Sequence, residues 1–203
     1  MDTFRYWVAV LLVVTVPPGV LPWYMIHPWH RFWRRLGPVW TWVVTGPVLL
    51  LSMVGLWSVR TTLIGRDLGT HGPWMAVGVA LYGVSIYFEM SARRHLSLRT
   101  LTGIAQLRGE SGSETLLQSG IYGRVRHPRY VAVGLGVIAW GIVANFSGVY
   151  LLLAVVVLAL AGVTVFEERE LVDRFGDRYR AYQARVPRLV PRLGPVPPPS
   201  GDR

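Results

Sequence analysis

Apolar residues along this chain come in long blocks separated by short polar stretches, the pattern of a membrane protein rather than of a large soluble core. Five segments emerge: Phe4–Ile26, Val39–Val59, Pro73–Met90, Tyr130–Phe146 and Ser147–Phe166. A membrane span needs roughly 20 apolar residues, so the fourth is at the short end of the range. Pro17, Pro18 and Pro22 interrupt the first, which predicts a kinked or re-entrant end. The fourth and fifth share almost no linker, so they predict a tight antiparallel hairpin turning near Asn145–Gly148. The expected fold is all-α: a membrane protein of about five transmembrane helices, with the hairpin of spans four and five and a cytoplasmic C-terminal amphipathic helix. Its expected organisation is a three-span region over 1–92, a cytoplasmic loop over 93–128, the hairpin and C-terminal segment over 129–194, and a disordered tail over 195–203. Residues Arg108–Ser119 in the loop are polar and Gly/Ser-rich, which predicts flexibility.

The charged positions orient these spans. Three Arg lie between the first and second segments, seven between the third and fourth, and eight after Phe166. With five spans all 18 of these, out of 21, fall on one side, which the positive-inside rule makes cytoplasmic. The N-terminus is then outside and the C-terminus cytoplasmic, in what reads as a bacterial inner membrane. Trp7, Trp23, Trp29, Trp33, Trp40, Trp57 and Trp74 fall near predicted span ends, as interfacial anchors do. The N-terminus carries only Asp2 and Arg5 before the first apolar run and no clear small-residue cleavage site, so that run reads as a retained helix.

Composition narrows the chemistry. The chain has 203 residues, enough for one domain, is 52% hydrophobic and has a net charge of +10. That charge sits in loops beside apolar spans, which favours anionic lipid headgroups over nucleic acid. All the basic residues are Arg, whose planar fork suits phosphate and carboxylate recognition. With no Cys, disulfides, thiolate catalysis and Cys-ligated metals are excluded. None of the five His sits at a metalloprotease spacing, and no metal site is expected. No Walker loop, nucleophile elbow or dinucleotide fingerprint is present.

Two polar groups flank the apolar hairpin. Pro128 marks the start of the fourth helix and puts Arg126 and His127 at its N-terminal entrance, where free N–H groups and the dipole favour an anion. Basic residues flank most cytoplasmic span ends, so a topological anchor is the plainer use. Glu167 and Glu168 close the fifth span, where ionised groups are costly without partners. They either pair with Arg of the preceding loop or hold an ammonium, a sulfonium or sugar hydroxyls. Gly134 and Gly136 permit close approach of a cofactor or a neighbouring helix. Glu89 ends the third span beside Arg93 and Arg94 and predicts a local ion pair. Over Glu167–Arg185 the spacing of Phe175, Tyr179 and Tyr182 puts three aromatics on one face of a helix.

Gly120-x-Tyr122, Arg126-His127-Pro128-x-Tyr130, the hairpin, Glu167-Glu168-x-x-Leu171, Phe175-Gly176-x-x-Tyr179-x-x-Tyr182 and Val186-Pro187-Arg188-x-x-Pro191 together resemble the isoprenylcysteine carboxyl methyltransferase family. Phospholipid methyltransferases share a looser form of the pattern. The resemblance covers residues 119–191 and implies an integral membrane methyltransferase using S-adenosylmethionine. It also implies a cofactor pocket closed by the cytoplasmic tail and a lipophilic acceptor entering from the bilayer, with membrane lipids as surroundings and neither nucleic acid nor metal as partner. Cofactor-binding residues implied by the motif are Tyr122, Arg126, His127, Pro128, Tyr130, Gly134, Glu167, Glu168 and Tyr179. Methyl transfer needs alignment and exclusion of water more than covalent catalysis. A neutral acceptor calls for a general base, and His127 and Glu168 are the unranked catalytic candidates.

The pattern departs from the family in two places. Members that methylate prenylcysteine carry arginines just before the glutamate pair, where this chain has Ala161-Gly162-Val163-Thr164-Val165. That points away from prenylcysteine and towards a lipid, a thiol or another lipophile. The Gly-x-Gly of the phospholipid enzymes' third span is also unmatched, the nearest residues being Gly78 and Gly83. Two other readings stand beside the methyltransferase: a membrane NADPH-dependent reductase of sterol-reductase-like fold, and a non-catalytic scaffold or lipid-binding protein.

Overall fold

The structure, a computed structural model, describes residues 2–94 and 116–194. Most of the stretch expected to be flexible and the tail expected to be disordered lie outside the described residues. All regular structure within them is helical: α1 (Thr3–Ile26), a 3-10 turn (His27–Trp29), α2 (His30–Leu36), α3 (Pro38–Ser58), α4 (Arg60–Ile64), α5 (Gly72–Arg93), a second 3-10 turn (Gly120–Gly123), α6 (Pro128–Ala144), α7 (Ser147–Phe175) and α8 (Asp177–Arg185). Four of them, α1, α3, α5 and α7, are long and apolar enough to cross a membrane. At 17 residues, α6 is apolar but rises only about 25 Å.

The hairpin turns where the sequence places it. Asn145 takes the left-handed conformation (φ 54°) that ends α6, and Phe146 leads into α7. Gly141 lies so close to the Leu153 side chain that a Cβ there would collide with it. The longest interhelical seam joins α5 and α6. It is possible because Gly78 meets Val143 and the Ala139 carbonyl, while Gly136 meets Ser85, whose hydroxyl donates to the Ala132 carbonyl at 2.8 Å. Gly136 thus serves helix packing. α1 threads among α3, α6 and α7 and supplies Val8, Ala9, Val10, Leu12, Val13 and Val14 to the main apolar core.

α1 runs as one helix through Pro17, Pro18 and Pro22. Each proline removes one N–H, but the remaining backbone bonds and the packing of α1 on its neighbours hold the helix together. The separate amphipathic helix expected over Glu167–Arg185 is instead divided. α7 continues two turns past the glutamate pair to Phe175, Gly176 breaks it with φ 58°, and α8 begins at Asp177. Glu167 and Glu168 are therefore not at a helix C-terminus, and the dipole does not oppose them there.

The two ends of the bundle are fastened differently. At one end Arg5, 2% exposed, donates to the carbonyls of Ala144 (3.1 Å) and Asn145 (3.3 Å), to Thr70 Oγ1 (2.8 Å) and to Asp67 Oδ1 (2.7 Å). Its guanidinium also lies 5.4 Å from the centre of the Phe146 ring. The Gly69 N–H and Arg5 hold the Asp67 carboxyl below the usual range. Sequence reading marked Arg5 only as a charge ahead of an apolar run. At the other end the α1–α2 link, the Gly120–Gly123 turn and the C-terminal segment converge.

Candidate functional site

Pro128 stands at the first turn of α6, where its missing N–H costs nothing, so His127 becomes the residue that enters the helix. The backbone N–H groups of Arg126 and His127 donate to the carbonyls of Pro187 (2.9 Å) and Arg188 (3.2 Å), and that of Arg192 donates to Arg124 (2.9 Å). The segment 187–192 is thereby laid across the entrance of α6 as a strap. Tyr179, Tyr182 and Val186 anchor it, packed against Leu116, Leu171, Val172 and Phe175. The Tyr182 hydroxyl donates to the Tyr122 carbonyl at 2.6 Å. Phe175, Tyr179 and Tyr182 do share one cluster, although they come from two helices.

Glu168 is the centre of the polar network. It is 3% exposed, and its Oε1 meets His127 Nε2 (3.1 Å) and Arg126 Nη1 (2.9 Å). Its Oε2 accepts from Gln183 Nε2 (3.1 Å) and from Arg188 Nε (3.1 Å) and Nη2 (2.7 Å). Both carboxylate oxygens are thus consumed by the protein itself. Buried charge of this kind is tolerable only with such pairing. Arg188 and Gln183 were not among the residues expected to build the site. The sequence signal for Arg188 is its place in the Val186-Pro187-Arg188 motif; Gln183 carries none.

Glu167, one residue earlier, points elsewhere. Its Oε2 is buried without a hydrogen-bond partner and lies 3.7 Å from His127 Nδ1. The Tyr130 hydroxyl is likewise buried and makes no hydrogen bond of good geometry, although it lies near enough to Glu167 to interact with its carboxylate. Arg126 Nε has no partner, and its Nη1, although 2.9 Å from Glu168, lies off the hydrogen-bond direction. Native interiors rarely leave such groups unsatisfied, which sets this cluster apart from the saturated network around Glu168. The Tyr130 ring packs edge-on against Trp23 of α1 (4.9 Å between centres) and His127 (5.6 Å). Burial first, then the negative charge of Glu167, pushes the Tyr122 phenol up; burial, then Glu168, does the same for Tyr179, so both are neutral.

α1 closes the far side. His27 Nδ1 lies 3.2 Å from Glu170 Oε2. Burial opposes charge on His27, but the Glu170 hydrogen bond and the fields of Glu167 and Glu170 outweigh it and raise its pKa. The structure thus gathers Tyr122, Arg126, His127, Pro128, Tyr130, Glu167, Glu168 and Tyr179 at one end of the bundle. Gly134, a turn deeper in α6, has nothing within 4 Å of where a Cβ would lie. Trp23, His27 and Glu170 are additions that sequence reading did not make. The predicted Glu89–Arg93 ion pair forms at 2.7 Å. A separate apolar groove of about 800 Å³, between α5, α6 and α7, is lined by Trp74, Ile138, Ile142 and Leu158, towards the Arg5 end.

Residues 73–178 match the phospholipid methyltransferase family model. Methanethiol S-methyltransferase 2 of Bradyrhizobium diazoefficiens is 31% identical over 173 residues, covering 80% of this chain and 64% of that protein. Methanethiol S-methyltransferase 1 of the same organism is 39% identical over 71 residues, 35% of this chain and 24% of that protein. The methanethiol S-methyltransferase of Pseudomonas deceptionensis is 28% identical over 179 residues, again 80% of this chain and 64% of that protein. The chain therefore spans less than two thirds of the length of these relatives. No solved structure matches it.

Proposed function

The chain belongs to the phospholipid methyltransferase family, and we propose that it is an integral membrane methyltransferase that uses S-adenosylmethionine and methylates a small lipophilic acceptor. The observation that carries this reading is the cluster of buried, unpartnered polar atoms on Arg126, Tyr130 and Glu167, ringed by the motif residues. Their chemistry fits the cofactor. Arg126 offers a guanidinium for its carboxylate, and the Tyr130 hydroxyl and Glu167 carboxylate suit ribose hydroxyls or the ammonium. Tyr122 and Tyr179 contribute neutral aromatic surface near the adenine, and the bare flank at Gly134 leaves room for the ligand. When bound, S-adenosylmethionine supplies an activated methyl group.

The protein's own part is positioning. Glu168 fixes the rings and guanidinium groups around the pocket, and the 187–192 strap covers it against water. The names of the relatives favour a small thiol as the acceptor, over a phospholipid or prenylcysteine. In the membrane, α6 joins the four longer helices as a fifth crossing. The N-terminus is then outside, and the site lies at the cytoplasmic face beneath the Arg-rich segments.

Isothermal titration of the purified protein with S-adenosylhomocysteine, beside NADPH, tests the reading. Saturable binding of S-adenosylhomocysteine alone is expected, lost in Arg126→Ala. Binding of NADPH alone would replace the proposal with a reductase, and binding of neither by folded protein would leave a scaffold.

A further inference from the structure

A thiol is neutral near pH 7, and its sulfur becomes a strong nucleophile only when the proton leaves. The methyltransferase reading with a thiol acceptor, on which this inference rests, therefore requires a proton acceptor at the site. Two candidates, His127 and Glu168, are equivalent in sequence. In the structure they are not.

Glu168 has no acceptor capacity to spare. Its two oxygens face His127 Nε2, Arg126, Gln183 and both Nε and Nη2 of Arg188. A carboxylate balanced by two guanidinium groups is an acceptor only, so the proton in the 3.1 Å contact belongs to His127 Nε2. In the neutral ring Nδ1 then carries the lone pair. What Nδ1 faces is not a donor but Glu167 Oε2, at 3.7 Å and itself buried without a partner. Two acceptors are thus turned toward one another with no hydrogen between them. The Tyr130 ring, on the same α6 turn as His127, is packed edge-on to that imidazole, and its hydroxyl makes no hydrogen bond of good geometry.

We propose that His127 Nδ1, backed by Glu167 Oε2, is the general base that takes the proton of a neutral thiol acceptor, and that Glu168 is the positioning residue that fixes the imidazole tautomer. The thiol S–H bond breaks and an N–H bond forms at Nδ1. The electron pair left on the acceptor sulfur forms the new bond to the methyl carbon. The pair of the broken carbon–sulfur bond stays on the donor sulfur, which loses its positive charge. The imidazolium so formed is flanked by Glu168 at Nε2 and Glu167 at Nδ1, an arrangement that stabilises it as the reaction proceeds. It then returns its proton to solvent, for which the partly exposed Glu167 is the way out. The other titratable groups facing this pair are Tyr130 from α6, His27 from the α1–α2 link, Tyr122 from the second 3-10 turn and Tyr179 from α8; each interacts with Glu167.

His127→Gln is the informative variant. The glutamine amide reproduces a donor at the Nε2 position toward Glu168 but offers no basic nitrogen in place of Nδ1. The full chain in lipid nanodiscs would be assayed with S-adenosylmethionine and ethanethiol, following thioether formation from about pH 7 to about pH 10. Binding of S-adenosylhomocysteine and thermal unfolding would be measured beside it, and Glu167→Gln carried in parallel. Near neutrality both variants are expected to lose about 100-fold in rate, the low end of general-base catalysis. His127→Gln is also expected to keep S-adenosylhomocysteine binding within about threefold, whereas Glu167→Gln, whose carboxylate is also offered to the cofactor, is expected to weaken it. The lost rate returns about tenfold per pH unit as the thiol ionises by itself. In His127→Gln, a loss uniform across pH, or cofactor binding weakened in step with the rate, would overturn the proton-accepting role while leaving a methyltransferase. Wild-type protein that binds S-adenosylhomocysteine but does not methylate ethanethiol at any pH would overturn the thiol class. Wild-type protein that does not bind it removes the underlying reading itself.

Discussion

Glu168 and Arg188 are joined by a two-pronged contact in which Nε (3.1 Å) and Nη2 (2.7 Å) of the guanidinium both donate to one carboxylate oxygen. This contact ties the C-terminal strap to α7, two turns before that helix ends. Arg188 is 40% exposed and Glu168 is 4% exposed, so solvent screens one partner only. Arg188→Ala is accordingly expected to cost about 1–2 kcal/mol, discounted from a buried charged hydrogen bond. That is a drop of roughly tenfold in S-adenosylhomocysteine affinity, read by titration, with Arg188→Lys recovering part of it. An unchanged affinity would show that the strap does not cover the ligand.

The adjacent glutamates separate by stability. Glu168→Ala strands Arg126 and His127 in a buried setting and is expected to cost about 3–5 kcal/mol. Glu167→Ala removes an oxygen that makes no hydrogen bond and is expected to stay within about 1 kcal/mol of wild type. Thermal unfolding in detergent compares the two. Equal losses would contradict the division of labour between them.

His27 has a folded-state pKa raised above its ordinary 6.5 by Glu170 and Glu167, against the effect of burial. The stabilisation it gives is fully present below about pH 6.5 and is lost as pH rises through the raised value. Its size is about 1 kcal/mol for a half-screened pair. Wild type should therefore gain unfolding temperature over His27→Gln at about pH 5.5, and the gap should narrow as pH rises through the raised value. A gap that widens with pH would show that His27 acts neutral.

Gly134 and Gly136 differ by what their absent side chains would meet. Gly136→Ala places a methyl 3.0 Å from Ser85 Oγ and should loosen the α5–α6 seam. Gly134→Leu finds open space and should leave unfolding unchanged, while its bulk lowers S-adenosylhomocysteine affinity by about tenfold or more if the ligand passes that flank. Titration of both variants distinguishes packing from lining.

Arg5 belongs to a separate prediction. Arg5→Met leaves Asp67 without its cation and the Ala144 and Asn145 carbonyls without a donor, and should cost about 3 kcal/mol. Because this clasp sits at the opposite end of the bundle, ligand affinity of the surviving folded protein should not change. A selective loss of affinity would reveal coupling along α6.

Much of this was legible in the residues because the cues are local. Pro128 starts a helix by its own geometry, Asn145 turns the hairpin, and Glu89 finds Arg93 one turn away. What was not legible depends on meetings across the chain. The partners of Glu168 come from residues 126, 127, 183 and 188, and nothing in local periodicity says that Gln183 turns inward. The division of Glu167–Arg185 escaped because the aromatic spacing across Gly176 mimics one continuous helical face. The contribution of Trp23 from α1 and His27 from the α1–α2 link was hidden because the first reads as an interfacial anchor and the second as a loop residue.

The Arg5 clasp also fixes an order of assembly. Arg5 reaches carbonyls 139 and 140 positions away, so during vectorial synthesis its charge has no native partner at the hairpin until residues 144 and 145 have emerged. Until then the first helix has its charge only partly satisfied, and it becomes committed to its place when the α6–α7 hairpin forms. The pairing of α6 with α7 therefore completes this clasp, while the strap at the other end, residues 187–192, can be laid down only after it.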